Sequence, residues 1–123
     1  MQKLKKILII EDDRDLSKLL QIDLAPIGET YLSTNWLDGK KRVDEMQFDL
    51  ILLDMMLPDT AYPLEPLSYI HSLNQEYPVI LMSGNHQLID ELMDQLMRLG
   101  LDKVLYKPYT KDELLERVEV FIQ

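Results

Sequence analysis

At 123 residues, with 46% hydrophobic and 28% charged side chains, the chain has the size and composition of one globular domain with a single ordinary core. Its 22 acidic residues against 13 Lys and Arg leave a formal charge of -9, which argues against direct nucleic-acid binding because phosphate backbones would repel it. Zero Cys excludes a disulfide framework, thiolate chemistry and a Cys-based zinc site. No stretch approaches a membrane span, and the apolar run behind Lys3, Lys5 and Lys6 stops after four residues at Glu11, too short for a signal peptide. The expectation is a soluble, cytoplasmic protein that faces neither membrane nor nucleic acid.

The first apolar run, Ile7-Leu8-Ile9-Ile10, delivers the acidic pair Glu11-Asp12. Continuous short runs of this kind suit strands buried on both faces of a parallel sheet. Leu16, Leu19, Leu20 and Leu24 then share one face of a helix that ends before Pro26 and Gly28, with Asp13 and Asp15 serving its first turn. Thr30–Thr34 supplies a short second strand, and a helix follows from about Asp38 to Met46. Leu50-Ile51-Leu52-Leu53 ends in Asp54, and a helix starting near Pro66 carries Leu67, Ile70 and Leu73 inward. Val79-Ile80-Leu81-Met82 ends in Ser83-Gly84, before a helix from about Gln87 to Leu99 that stops at Gly100. Val104-Leu105-Tyr106 ends in Lys107-Pro108, and Thr110 with Glu113 forms a capping box for a last helix carrying Leu114, Val118, Phe121 and Ile122. The order βαβαβαβαβα implies a doubly wound α/β domain with a parallel sheet and right-handed crossovers. No linker, repeat or second domain interrupts residues 1–123.

Four strands that each deliver a polar group at the carboxyl end form a site, because open parallel sheets place their ligand crevice there. Three carboxylates (Glu11, Asp12 and Asp54) resist joint ionisation unless a cation compensates, and a hard Mg²⁺ suits such an all-oxygen set. Asp54 ends the central apolar strand, where its carboxylate is placed to attack a phosphoryl group as nucleophile. Lys107 would neutralise a phosphoryl oxygen and Ser83 would donate to another. Each motif alone has an ordinary structural reading: a helix cap, a strand-ending turn, a loop lysine. Their occurrence together, in order, at compatible strand ends favours the site.

With these motifs in place, the chain from about Lys5 onward resembles the receiver domain of two-component response regulators, of the single-domain, chemotaxis type. The matching stretches are Ile7–Asp13, Asp54-Met55-Met56-Leu57-Pro58, Pro78–Gly84 and Lys107-Pro108-Tyr109. The resemblance implies a flavodoxin-like five-stranded sheet of order 2-1-3-4-5. It implies that Asp54 accepts phosphate from a histidine kinase or a histidine phosphotransfer protein. Glu11, Asp12, Asp54 and the Met56 backbone carbonyl would ligate Mg²⁺, Ser83 would be the switch hydroxyl, and Lys107 the phosphate contact, followed by a cis bond to Pro108. Readout would be a change in affinity for an unknown downstream protein through the face of the fourth helix, fifth strand and fifth helix, in a monomer or weak dimer. Only intrinsic autophosphorylation and autodephosphorylation would be its chemistry, so it is not an enzyme in the usual sense.

Three departures stand out. The family's aromatic residue three positions before the lysine is Val104 here; Tyr106 has the same strand parity, although packing or exposure suffices to explain it. The loop Leu57–Pro66 has Thr60-Ala61-Tyr62-Pro63 where a glycine is usual, stiffened by Pro58, Pro63 and Pro66. The stretch Ser83–Gly100 is about two residues longer than usual, and its apolar stripe of Leu88, Ile89, Leu92, Met93, Leu96 and Met97 should mostly cover the sheet. His71 and His86 are expected at the surface. The competing readings are a phosphorylation-independent receiver-like adaptor and a haloacid-dehalogenase-like phosphotransferase, the latter lacking its second aspartate because Met56 stands there. A flavodoxin-like cofactor carrier shares the topology, but here no Ser/Thr/Gly-rich phosphate loop follows the first strand; acid sits there instead. Beginning at Met1, the chain is expected to be a complete, stand-alone domain.

Overall fold

The computed structural model describes residues 4–73, 77–101 and 103–122; Met1 and Lys3 lie outside the described residues. Its elements run β1 (Lys6–Ile10), α1 (Arg14–Leu24), β2 (Glu29–Ser33), α2 (Trp36–Glu45), β3 (Leu50–Asp54), α3 (Glu65–Ser72), β4 (Val79–Ser83), α4 (His86–Arg98), β5 (Lys103–Tyr106) and α5 (Lys111–Ile122). The five strands are parallel and lie in the order β2-β1-β3-β4-β5, as expected.

Alternation along each strand divides the core in two. Ile7, Ile9, Leu50, Leu52, Ile80, Met82 and Leu105 face α1 and α5, meeting Leu20, Leu24, Leu114 and Val118. Leu8, Ile10, Ile51, Leu53, Val79 and Leu81 face the other way, meeting Trp36, Val43, Leu67, Ile70, Ile89 and Leu96. Both faces are covered, so the strands read as unbroken apolar runs rather than alternating ones. Each such side chain contributes roughly 1.5–3 kcal/mol of burial, and this two-sided core fixes the height at which the strands end.

Register carries that height to the site. Ile10 lies opposite Leu53, Asp54 opposite Met82, and Ser83 opposite Tyr106. Three backbone bonds extend the ladder past the strand ends: Glu11 N–H donates to Ser33 O at 3.0 Å, Met55 N–H to Met82 O at 2.9 Å, and Lys107 N–H to Ser83 O at 2.8 Å. The residues just beyond β1, β3 and β5 thereby continue the hydrogen bonding of the sheet.

Several boundaries and faces differ from the expectation. Leu19 is 52% exposed although it was placed on the buried face of α1; Leu20 and Leu24 fill that face with Leu16 at its edge. α2 begins at Trp36, two residues early, because Asn35 caps it by accepting from Asp38 N–H at 2.7 Å. β2 covers Glu29–Ser33, one residue earlier than Thr30–Thr34, and α4 starts at His86. α4 buries Ile89 and Leu96 while Met97 is 64% exposed. Gly100 takes φ +75, the left-handed position after a helix that favours glycine. Asp13 caps α1 through Leu16 N–H at 3.1 Å, and Thr110 accepts from Glu113 N–H at 3.1 Å.

Gly39, inside α2, packs on β1: an added Cβ would meet Ile10 Cδ1 at 2.7 Å and Cγ1 and Cγ2 at 3.1 and 3.2 Å. Alanine would gain about 1 kcal/mol of helix propensity, against roughly 1–3 kcal/mol for overpacking. Three atoms of a fully buried isoleucine cannot all yield, so Gly39→Ala should lower stability by about 1 kcal/mol. Urea unfolding checks this; a raised midpoint would show that the core gives way.

Candidate functional site

The crevice lies at the carboxyl end of the sheet. Glu11, just past β1, is fully buried, and Asp54 at the end of β3 is only 6% exposed, while Asp12 is open to solvent. One carboxylate oxygen from each of the three lies within 4.8 Å of the others. Lys107, just past β5, reaches across to bring its Nζ within 2.6 Å of Glu11 Oε1 and 3.5 Å of Asp54 Oδ1. Asp54 Oδ1 also accepts from Met56 N–H at 3.2 Å.

These neighbours pull the carboxyls apart electrically. Burial, together with the adjoining Asp54 carboxylate, pushes Glu11 up to about 8 against the pull of Lys107. Asp12 is raised in the same direction by desolvation and by Asp54. For Asp54 burial works upward, but Glu11, the Lys107 charge and the Met56 N–H outweigh it and bring it below the usual aspartate range. For Lys107 burial works downward, and its two carboxylate partners outweigh it and raise it. Asp54 is thus the carboxyl kept ionised, and Glu11 the one that retains a proton near neutrality.

Glu11 Oε2 is buried with no hydrogen-bond partner. A buried, unpartnered carboxyl oxygen beside two further carboxylate oxygens is, once its proton is displaced, the donor set that a hard divalent cation takes, so the residues present fit such an ion. Its binding would displace the Glu11 proton and relieve the like-charge repulsion.

Ser83, the last residue of β4, is 1% exposed. Its Oγ accepts from Asn85 N–H at 3.0 Å, which leaves the hydroxyl proton free to donate elsewhere. Asn85 in turn caps α4 by accepting from Leu88 N–H at 3.0 Å. Tyr106 lies opposite Ser83, and its ring packs on His86 with centroids 4.4 Å apart. Both histidines are exposed, as expected, but this ring contact carried no sequence signal: His86 and Tyr106 lie 20 positions apart. The Lys107–Pro108 bond is cis, as expected.

The sequence reading missed Asp59. It lies in the loop after β3, and its Oδ1 and Oδ2 accept from Trp36 and Leu37 N–H at 2.8 and 2.9 Å. A Pro-Asp turn signals a local bend, not a partner 22 residues away.

The sequence matches the family description "Response regulator receiver domain" over residues 7–119. The chain belongs to that family. It is 30% identical over 116 residues to the transcriptional regulatory protein DltR of Streptococcus agalactiae, covering 94% of this chain and 50% of DltR. Among solved structures it resembles a CheY-like receiver domain protein of Methanospirillum hungatei (28% identity, TM-score 0.85, covering 96% of this chain and 93% of that one). It also resembles the Thermotoga maritima response regulator DrrB, an OmpR/PhoB homolog (28% identity, TM-score 0.84, 97% of this chain and 52% of that one). The chain spans about half the length of the curated relatives it matches. Receiver domains are signalling phosphoacceptors of two-component systems that work with histidine kinases, and the fold found here is theirs. No helix among the described residues is long and apolar enough to cross a membrane.

The Glu11 shift has a sign that can be checked without any ligand. Its folded pKa, about 8, lies above the ordinary 4.5, so its contribution to stability is full below about pH 4.5 and is lost as pH rises through about 8. Metal-free wild type should therefore lose stability relative to Glu11→Gln between pH 6 and 8.5 (assay values), with a slope of at most about 1.4 kcal/mol per pH unit. Urea unfolding of both proteins across that range, in chelator, measures the difference. A constant difference would mean that Glu11 is ionised throughout.

Proposed function

We propose that this chain is a single receiver domain phosphorylated on Asp54 with Mg²⁺, and that the modification switches its affinity for a partner protein. The observation that carries the reading is an ionised, nearly buried Asp54 with Glu11 and Asp12 oxygens within 4.8 Å and the Lys107 ammonium at 3.5 Å. The Met56 N–H and the Lys107 ammonium both lie on Asp54 Oδ1, which favours Oδ2 as the attacking oxygen.

The phosphodonor is a histidine kinase or a histidine phosphotransfer protein, consistent with the family. Asp54 Oδ2 attacks phosphorus, the bond from phosphorus to the imidazole nitrogen breaks, and an acyl phosphate forms on Asp54. Glu11, Asp12, Asp54 and the Met56 backbone carbonyl would hold Mg²⁺, whose charge would offset that of the transferred phosphoryl oxygens. Lys107 contacts a phosphoryl oxygen, and Ser83 donates its free proton to another while still accepting from Asn85. Because Asn85 caps α4, the Ser83 contact is communicated to the start of that helix. The acidic surface disfavours nucleic acid as the direct partner, so a downstream protein reads the switch, in the cytoplasm.

The phosphorylation-independent adaptor is the competing reading, and intact mass after incubation with acetyl phosphate and Mg²⁺ separates the two. Wild type should gain one phosphoryl group, and Asp54→Ala none. A wild type that binds Mg²⁺ yet gains nothing from either acetyl phosphate or a histidine phosphodonor would favour the adaptor.

A further inference from the structure

The loop that leaves Asp54 has two kinds of fastening. Some are local: Thr60 Oγ1 donates to Leu57 O at 3.1 Å, and Ala61 N–H donates to Glu65 Oε1 at 2.7 Å. One reaches another element: the Asp59 carboxylate spans the first two residues of α2, with Trp36 N–H on Oδ1 at 2.8 Å and Leu37 N–H on Oδ2 at 2.9 Å. Those N–H groups have no acceptor inside the helix, and the positive end of α2 favours the charge.

The anchor is rigid. Trp36 is buried in the core, edge-on to Tyr69 with centroids 5.8 Å apart. The helix has a cap of its own besides Asp59, since Asn35 accepts from Asp38 N–H at 2.7 Å. The loop is what depends on the contact. Met55 and Leu57 are buried but Met56 is exposed, so the Met56 side chain does not anchor its own backbone, which is held by its N–H on Asp54 Oδ1, by its buried neighbours and by where Asp59 is tied.

We propose that Asp59 is a positioning residue for the acceptor reaction: its carboxylate, held by the amino end of α2, keeps the Met56 backbone in place beside Asp54. The proposal rests on the acceptor reading above. Asp59 touches neither cation nor phosphoryl group; it sets the path of the chain that does.

Titration calorimetry of the unphosphorylated chain with Mg²⁺, alongside the rate of acetyl-phosphate labelling, tests it in wild type, Asp59→Ala, Asp59→Asn and Asn35→Ala. Trp36, the only tryptophan, reports on folding in each. Asp59→Ala should weaken Mg²⁺ binding about fivefold, less than the 10- to 100-fold that outer partners of a metal ligand command, and should slow labelling. Asp59→Asn, which keeps one acceptor oxygen, should recover part of both. Asn35→Ala weakens the same helix end without touching the loop and should leave Mg²⁺ affinity unchanged. Wild-type affinity in Asp59→Ala overturns the proposal, as does an equal loss in Asn35→Ala (helix fraying) or in Asp59→Asn (charge alone). A wild type that neither binds Mg²⁺ nor takes a phosphoryl group overturns the acceptor reading, and this proposal with it.

Discussion

The site depends on one ammonium. Glu11 and Lys107 are 96 positions apart and belong to opposite ends of the chain, yet their side chains meet at 2.6 Å. In the sheet β3 and β4 lie between the strands that carry them. Lys107 therefore reaches past the ends of two strands to meet its partners, with its ammonium 3.5 Å from Asp54 Oδ1. A carboxylate taken from water costs several kcal/mol, more than its apolar neighbours return, so this contact decides whether the strand ends can carry acid at all. One cation against three carboxyls is still a deficit. That deficit explains why Glu11 holds a proton while Asp54 is ionised, and why the arrangement favours an added positive ion.

Preorganisation of the hydroxyl follows from backbone bonds. The Ser83 carbonyl accepts from Lys107 N–H, and its Oγ accepts from Asn85 N–H, so Ser83 is fixed on both sides before any ligand arrives. A fixed donor gains its new hydrogen bond at little entropic cost. Asp59 supplies an equivalent restraint on the opposite wall. The two walls differ in where they lead: Ser83 connects through Asn85 to α4, and Asp59 connects to α2 and, through Trp36 and Tyr69, to α3.

The strands and their polar ends were legible because the physics that makes them is local. Both faces of the sheet are covered, so four or five consecutive apolar residues announce a strand, and the first polar residue after them must stand at the mouth of the crevice. Helix starts were legible at Asp13 and Thr110, where a side chain caps its own helix, whereas the same kind of cap at Asn35 and Asn85 was passed over. Leu19 was misplaced because spacing shows a face but not its width; the sheet accepts Leu20 and Leu24 and leaves Leu19 outside. Asp59 and the His86–Tyr106 ring contact were not legible, since each joins segments brought together only by the crossovers of the fold.

Val104 illustrates the limit of reading by position. It lies one step down β5, opposite Leu81 in the sheet and partly buried, while Tyr106 lies opposite Ser83 itself. Side chains two apart on a strand share a face, so the Tyr106 ring lies on the same face of β5 as Val104, nearer the crevice. There it meets His86, the first residue of α4, and lies one residue before Lys107. A displacement of the β4–α4 loop toward a modified Asp54 would have to carry His86 past this ring or take the ring with it. The rim of the crevice on this side is thus formed by the His86–Tyr106 ring pair, with Val104 farther down the strand opposite Leu81.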